Sequence, residues 1–197
     1  MNNVIDRIKG IVVVSVQAMP SEPLYAESCM TAMMKSVVNG GAGALRVAGV
    51  RDVKIAKKLF TLPVIGLTKP NVIPKNYKEI VYITPTVKDV IDLVQAGADI
   101  IATDATQRPR PNGEKLADLF KYIHINNRIA MADISTLEEG IKAKEAGADI
   151  LSTTLAGYTL ESVNSPSKEP DFELLKQLVE TTKIPVVLEG RIWEPEQ

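Results

Sequence analysis

Seven short apolar runs rich in Val and Ile alternate along this chain with longer amphipathic segments. The runs are apolar on both sides, as buried strands of a parallel sheet must be. They span Ile11–Gln17, Gly43–Gly49, Pro63–Lys69, Asp99–Asp104, Ile129–Ser135, Asp149–Leu155 and Pro185–Glu189. The segments between them have helical spacing and span Glu27–Asn39, Val53–Leu59, Val87–Ala96, Leu116–Tyr122, Leu137–Ala146 and Phe172–Thr181. This alternation of strand and helix predicts an α/β fold with a parallel sheet.

A short repeat favours a closed barrel over an open sheet. The tetrapeptide Gly-Ala-Asp-Ile occurs at Gly97–Ile100 and again at Gly147–Ile150, each time at an expected helix-to-strand corner. Shifting the first four predicted strand starts by 86 to 88 residues places them on the last four. The same spacing would put an eighth strand near residue ~215. We therefore predict a (β/α)8 TIM barrel that lacks its eighth strand and final helices, as one C-terminally incomplete domain over residues 1–197.

Composition excludes several classes of function. Among 197 residues the net charge is −1, which offers no basic footprint for nucleic acid or for an anionic membrane surface. One cysteine and one histidine leave no intrachain disulfide, no Cys- or His-based metal site and no Ser-His-Asp relay. No apolar stretch approaches the ~20 residues of a membrane span. We expect a cytoplasmic protein.

Polar residues stand at or near the predicted carboxyl end of every strand. In a (β/α) barrel these ends converge on one mouth, where catalysis takes place. A buried lysine at that mouth has a lowered pKa and can act as a base or as a nucleophile, and an arginine can neutralise developing negative charge. The residues are Gln17, Arg46, Lys69, Asp104, Asp133, Thr153, Thr154 and Glu189.

The motifs around these residues resemble those of the N-acetylmannosamine-6-phosphate 2-epimerases of bacterial sialic-acid catabolism. The matching stretches are VVSVQAMPSEP at 13–23, GALRVAG at 43–49, PVIGLTK at 63–69, DATQRPRP at 104–111, MADIST at 131–136, TTLAGYT at 153–159 and EGRI at 189–192. The resemblance implies a (β/α)8 barrel that interconverts two amino-sugar phosphates without a metal or an organic cofactor. It assigns the acid/base pair to Lys69 and Glu189 and the sugar contacts to Gln17, Arg46 and Asp133. The phosphate region begins at Gly190 and Arg191, and we expect Thr154 and Tyr158 to contact the substrate as well.

Two departures from the family pattern keep alternatives open. Pro70 and Asn71 follow the lysine where the family usually has an arginine, and the family continues into an eighth strand with a Gly-rich phosphate loop. A Schiff-base sugar-phosphate aldolase using Lys69 and an inactive truncated barrel therefore remain alternatives to the epimerase. The partner that we expect is a small sugar phosphate, bound by a homodimer.

Overall fold

Seven parallel strands form one sheet in which each strand pairs with the next in the chain, in the order β1 to β7. The computed structural model describes residues 2–166, 168–194 and 197. The strands are β1 (Val13–Val16), β2 (Ala44–Ala48), β3 (Val64–Leu67), β4 (Ile100–Asp104), β5 (Ile129–Asp133), β6 (Ile150–Ser152) and β7 (Val186–Val187). The helices are α1 (Asn2–Ile8), α2 (Glu27–Asn39), α3 (Val50–Leu59), α4 (Val87–Ala96), α5 (Leu116–Ile125), α6 (Leu137–Glu145) and α7 (Phe172–Thr182). None of the described helices is long and apolar enough to cross a membrane.

The predicted fold class is confirmed, with differences at the element boundaries. Helices α2 and α4 have the predicted bounds, whereas α3 begins at Val50 rather than Val53. Helix α3 can start early because Gly49, at φ +92°, turns the chain directly out of β2. Each predicted strand is longer than the observed one, and the difference at β4 is a single residue. The polar residues Gln17, Lys69 and Glu189 lie in loops beyond their strands, whereas Asp104 and Asp133 are the last residues of β4 and β5. Helix α1 was not predicted.

The Gly-Ala-Asp-Ile repeat does one structural task twice. Gly97 ends α4 in the left-handed conformation, at φ +96°, which glycine adopts without strain. The Asp99 carboxylate then accepts a hydrogen bond of 2.9 Å from the Val64 amide at the start of β3. The same Oδ2 oxygen lies 2.7 Å from the Lys57 ammonium.

The second copy repeats this arrangement two strands later. Gly147 has φ +108°, and Asp149 accepts a 2.8 Å hydrogen bond from the Ala130 amide at the start of β5. Here the basic partner is His124, whose Nε2 lies 2.9 Å from Asp149 Oδ2. The single histidine is thus a structural residue at the amino ends of the strands, opposite the predicted catalytic mouth.

The sheet is curled, with one apolar cluster on each face. The outer cluster fills the space between the strands and the helices, and the inner cluster lies inside the curl. Within the described residues β1 and β7 are the sheet edges, and a cavity of about 820 Å³ lies between them and α1, lined by apolar side chains such as Ile5, Val13 and Val186. The predicted catalytic mouth lies at the carboxyl ends of the seven strands.

Candidate active site

A buried ion pair joins two strands at the mouth of the curl. Arg46 on β2 is 3% exposed and Asp133 at the end of β5 is 0% exposed. Arg46 Nη2 donates to Asp133 Oδ2 at 2.7 Å, and Nη1 donates to Oδ1 at 3.3 Å. The Arg46 Nε atom lies 3.3 Å from Glu189 Oε1, but it makes no hydrogen bond. The guanidinium thus pairs mainly with Asp133, to which it makes two hydrogen bonds, and only weakly with Glu189.

The predicted site residues share a face because a strand alternates its side chains. Lys69 continues the inner-face series of Ile65 and Leu67, and Asp133 continues that of Ile129 and Met131. In the same way Thr154 follows the inner-facing Ile150, and Glu189 follows Val187. The structure therefore gathers Gln17, Arg46, Lys69, Asp133, Thr154 and Glu189 on the inner face at the carboxyl end of the sheet.

Two threonines on the loop after β6 hold Glu189. Thr153 binds its main chain: the Glu189 amide donates to Thr153 Oγ1 at 3.0 Å, and that hydroxyl lies 3.0 Å from the Glu189 carbonyl oxygen. Thr154 binds its carboxyl group, since Thr154 Oγ1 lies 2.9 Å from Glu189 Oε2 and also 2.9 Å from Asp133 Oδ1. Thr154 therefore contacts both acids of the site.

Lys69 is anchored from β1. Its Nζ donates to Gln17 Oε1 at 2.8 Å, and Gln17 Nε2 donates in turn to Ser15 Oγ at 2.6 Å. The bond to Ser15 fixes the side-chain amide so that its oxygen faces the lysine.

Burial sets the electrostatics of the site. It lowers the pKa of Lys69, and the Arg46 charge lowers it further, against the opposing charges of Asp133 and Glu189. Burial also raises the pKa of Asp133, with Arg46 opposing that rise and Glu189 adding to it. Burial works against the charge of Arg46, yet the two carboxylates outweigh it and raise the pKa of the guanidinium. Arg46 is therefore a fixed cation, and Lys69 is a cation that loses its proton more readily than an ordinary lysine.

The predicted phosphate residues form a second cluster next to Glu189. The Arg191 guanidinium lies over the Tyr158 ring, 4.8 Å from its centroid, and Nη2 donates to the Ala156 carbonyl at 2.9 Å. Gly190 has φ +98° and Arg191 itself has φ +59°, so the chain turns sharply after the acid. A side chain at Gly157 would meet this arginine, because a Cβ there would lie 2.2 Å from Arg191 Nη2.

Asp104 has a role that the sequence analysis did not identify. Its carboxylate pairs with Arg108, whose Nη1 donates to the Tyr77 carbonyl at 2.6 Å in the loop that follows Lys69. Arg110 donates to the Asp104 carbonyl and also to the Pro85 carbonyl at 3.4 Å. Burial raises the pKa of Asp104 to about 6, although Arg108 opposes this. Asp104 thus anchors a loop, and the two arginines that closely follow it in DATQRPRP are the signal that could have shown it.

No group of three or more His, Cys, Asp or Glu side chains that could hold a metal ion occurs in the part of the chain that the structure describes. The charges at the mouth are instead carried by Arg46, Lys69 and the two carboxylates.

Comparison with known proteins assigns the chain to a family. A family model described as "Putative N-acetylmannosamine-6-phosphate epimerase" matches residues 30–197. The chain belongs to this family. The resemblance drawn from the sequence motifs is therefore confirmed.

Several members of the family are close in sequence and in structure. A Clostridium perfringens protein named as an N-acetylmannosamine-6-phosphate 2-epimerase is 49% identical over 194 residues, covering 98% of this chain and 85% of the relative. A Clostridioides difficile protein of the same name is 45% identical over 193 residues, covering 98% and 83%. The solved structure of the N-acetylmannosamine-6-phosphate 2-epimerase from C. perfringens has a TM-score of 0.89 and 48% identity, covering 97% of this chain and 81% of that one. The similarity thus extends over nearly all of this chain.

Proposed function

We propose that this protein is an epimerase that interconverts N-acetylmannosamine 6-phosphate and N-acetylglucosamine 6-phosphate by moving the proton at C2 of the sugar. The observation that carries the proposal is the buried Arg46–Asp133 pair with Lys69 and Glu189 beside it, in a chain that belongs to this epimerase family.

The reaction needs proton transfer at both faces of C2 and a donor to oxygen. The C2 proton becomes acidic only when C1 is a free aldehyde, so the open-chain sugar is the reacting form. A base takes the C2 hydrogen as a proton, and the electrons of the C–H bond move onto the C1 oxygen to give an enolate. Return of a proton to the opposite face of C2 then inverts the centre. Charged donors near the enolate oxygen lower the barrier.

In this proposal Lys69 and Glu189 carry the protons. Neutral Lys69 removes the C2 proton and Glu189 supplies one to the other face, so the number of protons on the protein is unchanged. In the reverse direction the two exchange roles. The burial that lowers the pKa of Lys69 supports the neutral amine as base, and the bond from Gln17 holds its nitrogen in place.

The remaining residues bind the sugar phosphate. The Arg46 Nε–H group is buried without a hydrogen-bond partner, which suits a donor to the developing enolate oxygen. Gln17, Asp133 and Thr154 are assigned to the sugar hydroxyl and acetamido groups. The phosphate is assigned to Tyr158, Gly190 and Arg191, where the guanidinium lies over the tyrosine ring.

A proton-exchange experiment tests the function. Incubation of the protein with N-acetylmannosamine 6-phosphate in D2O, followed by proton NMR, should produce N-acetylglucosamine 6-phosphate with deuterium at C2. A lysine with a lowered pKa would also suit a Schiff-base aldolase, so the same mixture is treated with borohydride. Covalent labelling of Lys69 by the substrate would favour the aldolase. Absence of both reactions would favour a barrel that is inactive in this form.

We further propose that the enzyme acts in the cytoplasm as a homodimer on a small sugar phosphate, with no nucleic-acid or membrane partner. The absence of a basic footprint at a net charge of −1 supports the second part of this proposal. Light scattering of the purified protein measures its oligomeric state directly.

A further inference from the structure

The hydroxyl of Thr154 lies within hydrogen-bond distance of more acceptor oxygens than it can donate to. Its Oγ1 lies 2.9 Å from Asp133 Oδ1, 2.9 Å from Glu189 Oε2 and 2.8 Å from Ser152 Oγ. A threonine hydroxyl supplies one hydrogen and accepts through two lone pairs. Two of its three neighbours are carboxyl oxygens, and an ionised carboxylate can only accept.

If Asp133 and Glu189 are both ionised, there are too few hydrogens for the three contacts of the Thr154 hydroxyl. If Thr154 donates to Asp133, its contact with Glu189 holds two oxygens at 2.9 Å with no hydrogen between them. If it donates to Glu189, the same deficit moves to Asp133. Ser152 has a hydrogen of its own, but it can reach only Thr154 or, at 3.3 Å, Glu189 Oε2. One contact therefore stays unsatisfied in either arrangement, which is costly at a site that is only partly open to water.

One additional proton satisfies all three contacts of Thr154, and its place follows from Arg46. Asp133 accepts two hydrogen bonds from this guanidinium and is completely buried, so its charge is neutralised where it stands. Glu189 accepts no hydrogen bond from Arg46, whose Nε atom lies 3.3 Å from Glu189 Oε1. The negative charge thus belongs on Asp133 and the additional proton on Glu189 Oε2.

We propose that Thr154 is a positioning residue that keeps a proton on Glu189 in the free enzyme. Glu189 Oε2–H donates to Thr154 Oγ1, Thr154 donates to Asp133 Oδ1, and Ser152 donates to Thr154. The charged and titratable groups that face this series of hydrogen bonds are Arg46 from β2, Lys69 after β3 and Asp133 from β5. This inference rests on the proposed function. The directed series of hydrogen bonds makes Glu189 the acid and leaves Lys69 as the base at the start of turnover. It replaces the assignment of Thr154 to substrate binding.

Infrared spectroscopy of the ligand-free protein tests this without any enzymatic assay. The wild type at pH 7 should show the C=O stretching band of a protonated carboxylic acid, and Glu189→Gln should lose it. Thr154→Val, which keeps the shape and removes the hydroxyl, should lose the same band, and Thr154→Ser should retain it. Thr153→Val is the matched control, because Thr153 binds only the main chain of residue 189 and its loss should leave the band in place.

Kinetics supplies the second readout. Thr154→Val should lower kcat by roughly 10- to 100-fold with little change in KM, and Thr154→Ser should restore most of it. A wild type without a band that depends on Glu189, or a band that survives Thr154→Val, would overturn the inference. If Thr154→Val raised KM alone, Thr154 would be a substrate contact as first expected, which also overturns it. If the wild type shows the band but does not epimerise the sugar, the proposed function fails and the inference about the proton stands.

Discussion

Asp133→Asn should be strongly destabilising, because it removes the only counterion that hydrogen-bonds the buried Arg46 among the described residues and leaves just the contact with Glu189 at 3.3 Å. The carboxylate is fully buried and accepts both Nη hydrogen bonds of Arg46. Removing one partner of such a pair costs about 3–5 kcal/mol of the free energy of unfolding. For a chain of this size each kcal/mol lowers Tm by about 2–4 °C, so the expected loss is roughly 6–20 °C.

A matched surface variant separates burial from loss of charge. Asp92→Asn makes the same chemical change in the Lys88–Asp92 pair, whose oxygen and nitrogen lie 2.5 Å apart but whose lysine is 80% exposed. Water and salt screen this pair, so Asp92→Asn should leave Tm unchanged within error. The double variant Arg46→Met with Asp133→Leu removes both charges and should be less destabilised than Asp133→Asn alone.

Thermal unfolding followed by circular dichroism, with urea denaturation at 25 °C, measures all of these variants. Equal Tm losses for Asp133→Asn and Asp92→Asn would refute the reasoning. A second refuting result would be a double variant whose Tm loss equals the sum of the losses of Arg46→Met and Asp133→Leu measured singly, because the pair would then carry no coupling.

Four further outcomes are expected. Lys69→Ala and Glu189→Gln should each reduce kcat by about 10²–10⁴-fold while Tm stays near that of the wild type, and variants that keep most activity would remove these residues from the proton-transfer roles. If the neutral amine of Lys69 is the base, as proposed, kcat/KM should rise with pH along an acid limb whose midpoint lies below the ordinary lysine value of 10.5; a rate that falls with pH over that range would contradict this. Gly157→Ala should cost roughly 1–2 kcal/mol for its φ of +78° and should also displace Arg191, raising KM for the phosphorylated sugar more than it lowers kcat. A protein of residues 1–197 should self-associate in light scattering, because within the described residues β1 and β7 are open sheet edges; a monodisperse monomer would argue against this.

Much of the fold could be predicted because its signals are local. The bounds of α2 and α4 follow from helical periodicity, and Gly97 and Gly147 mark the ends of α4 and α6 through the left-handed conformation. Helix α1, of seven residues, was not predicted. It is held by tertiary contacts: Ile5 and Ile8 pack on the inner cluster, and Arg7 donates to the Thr61 carbonyl at 2.8 Å.

The residues of the site could be predicted better than their partners. Period-two alternation puts Lys69, Asp133 and Thr154 on the inner face, and that much can be seen in the sequence. Asp104 has the same parity, yet its carboxylate pairs with Arg108 of its own loop. Which polar group pairs with which depends on loop conformation and on distances between strands, and neither is encoded in a local pattern.

The Arg46–Asp133 pair shows how barrel geometry decides such a partnership. Followed across the sheet, the ladder of hydrogen-bonded partners leads from Arg46 through Ile65 and Ile100 to Ile129, four residues before Asp133. The strands of a (β/α)8 barrel are tilted, and a shear of eight over eight strands offsets residues at equal height by about one position per strand. Three strands therefore account for about three of the four residues, and the long arginine side chain spans the rest. Arg46 lies in the middle of β2 and Asp133 at the end of β5, so a flat sheet would separate them. The curl of the barrel brings the cation level with the acid at the predicted catalytic mouth.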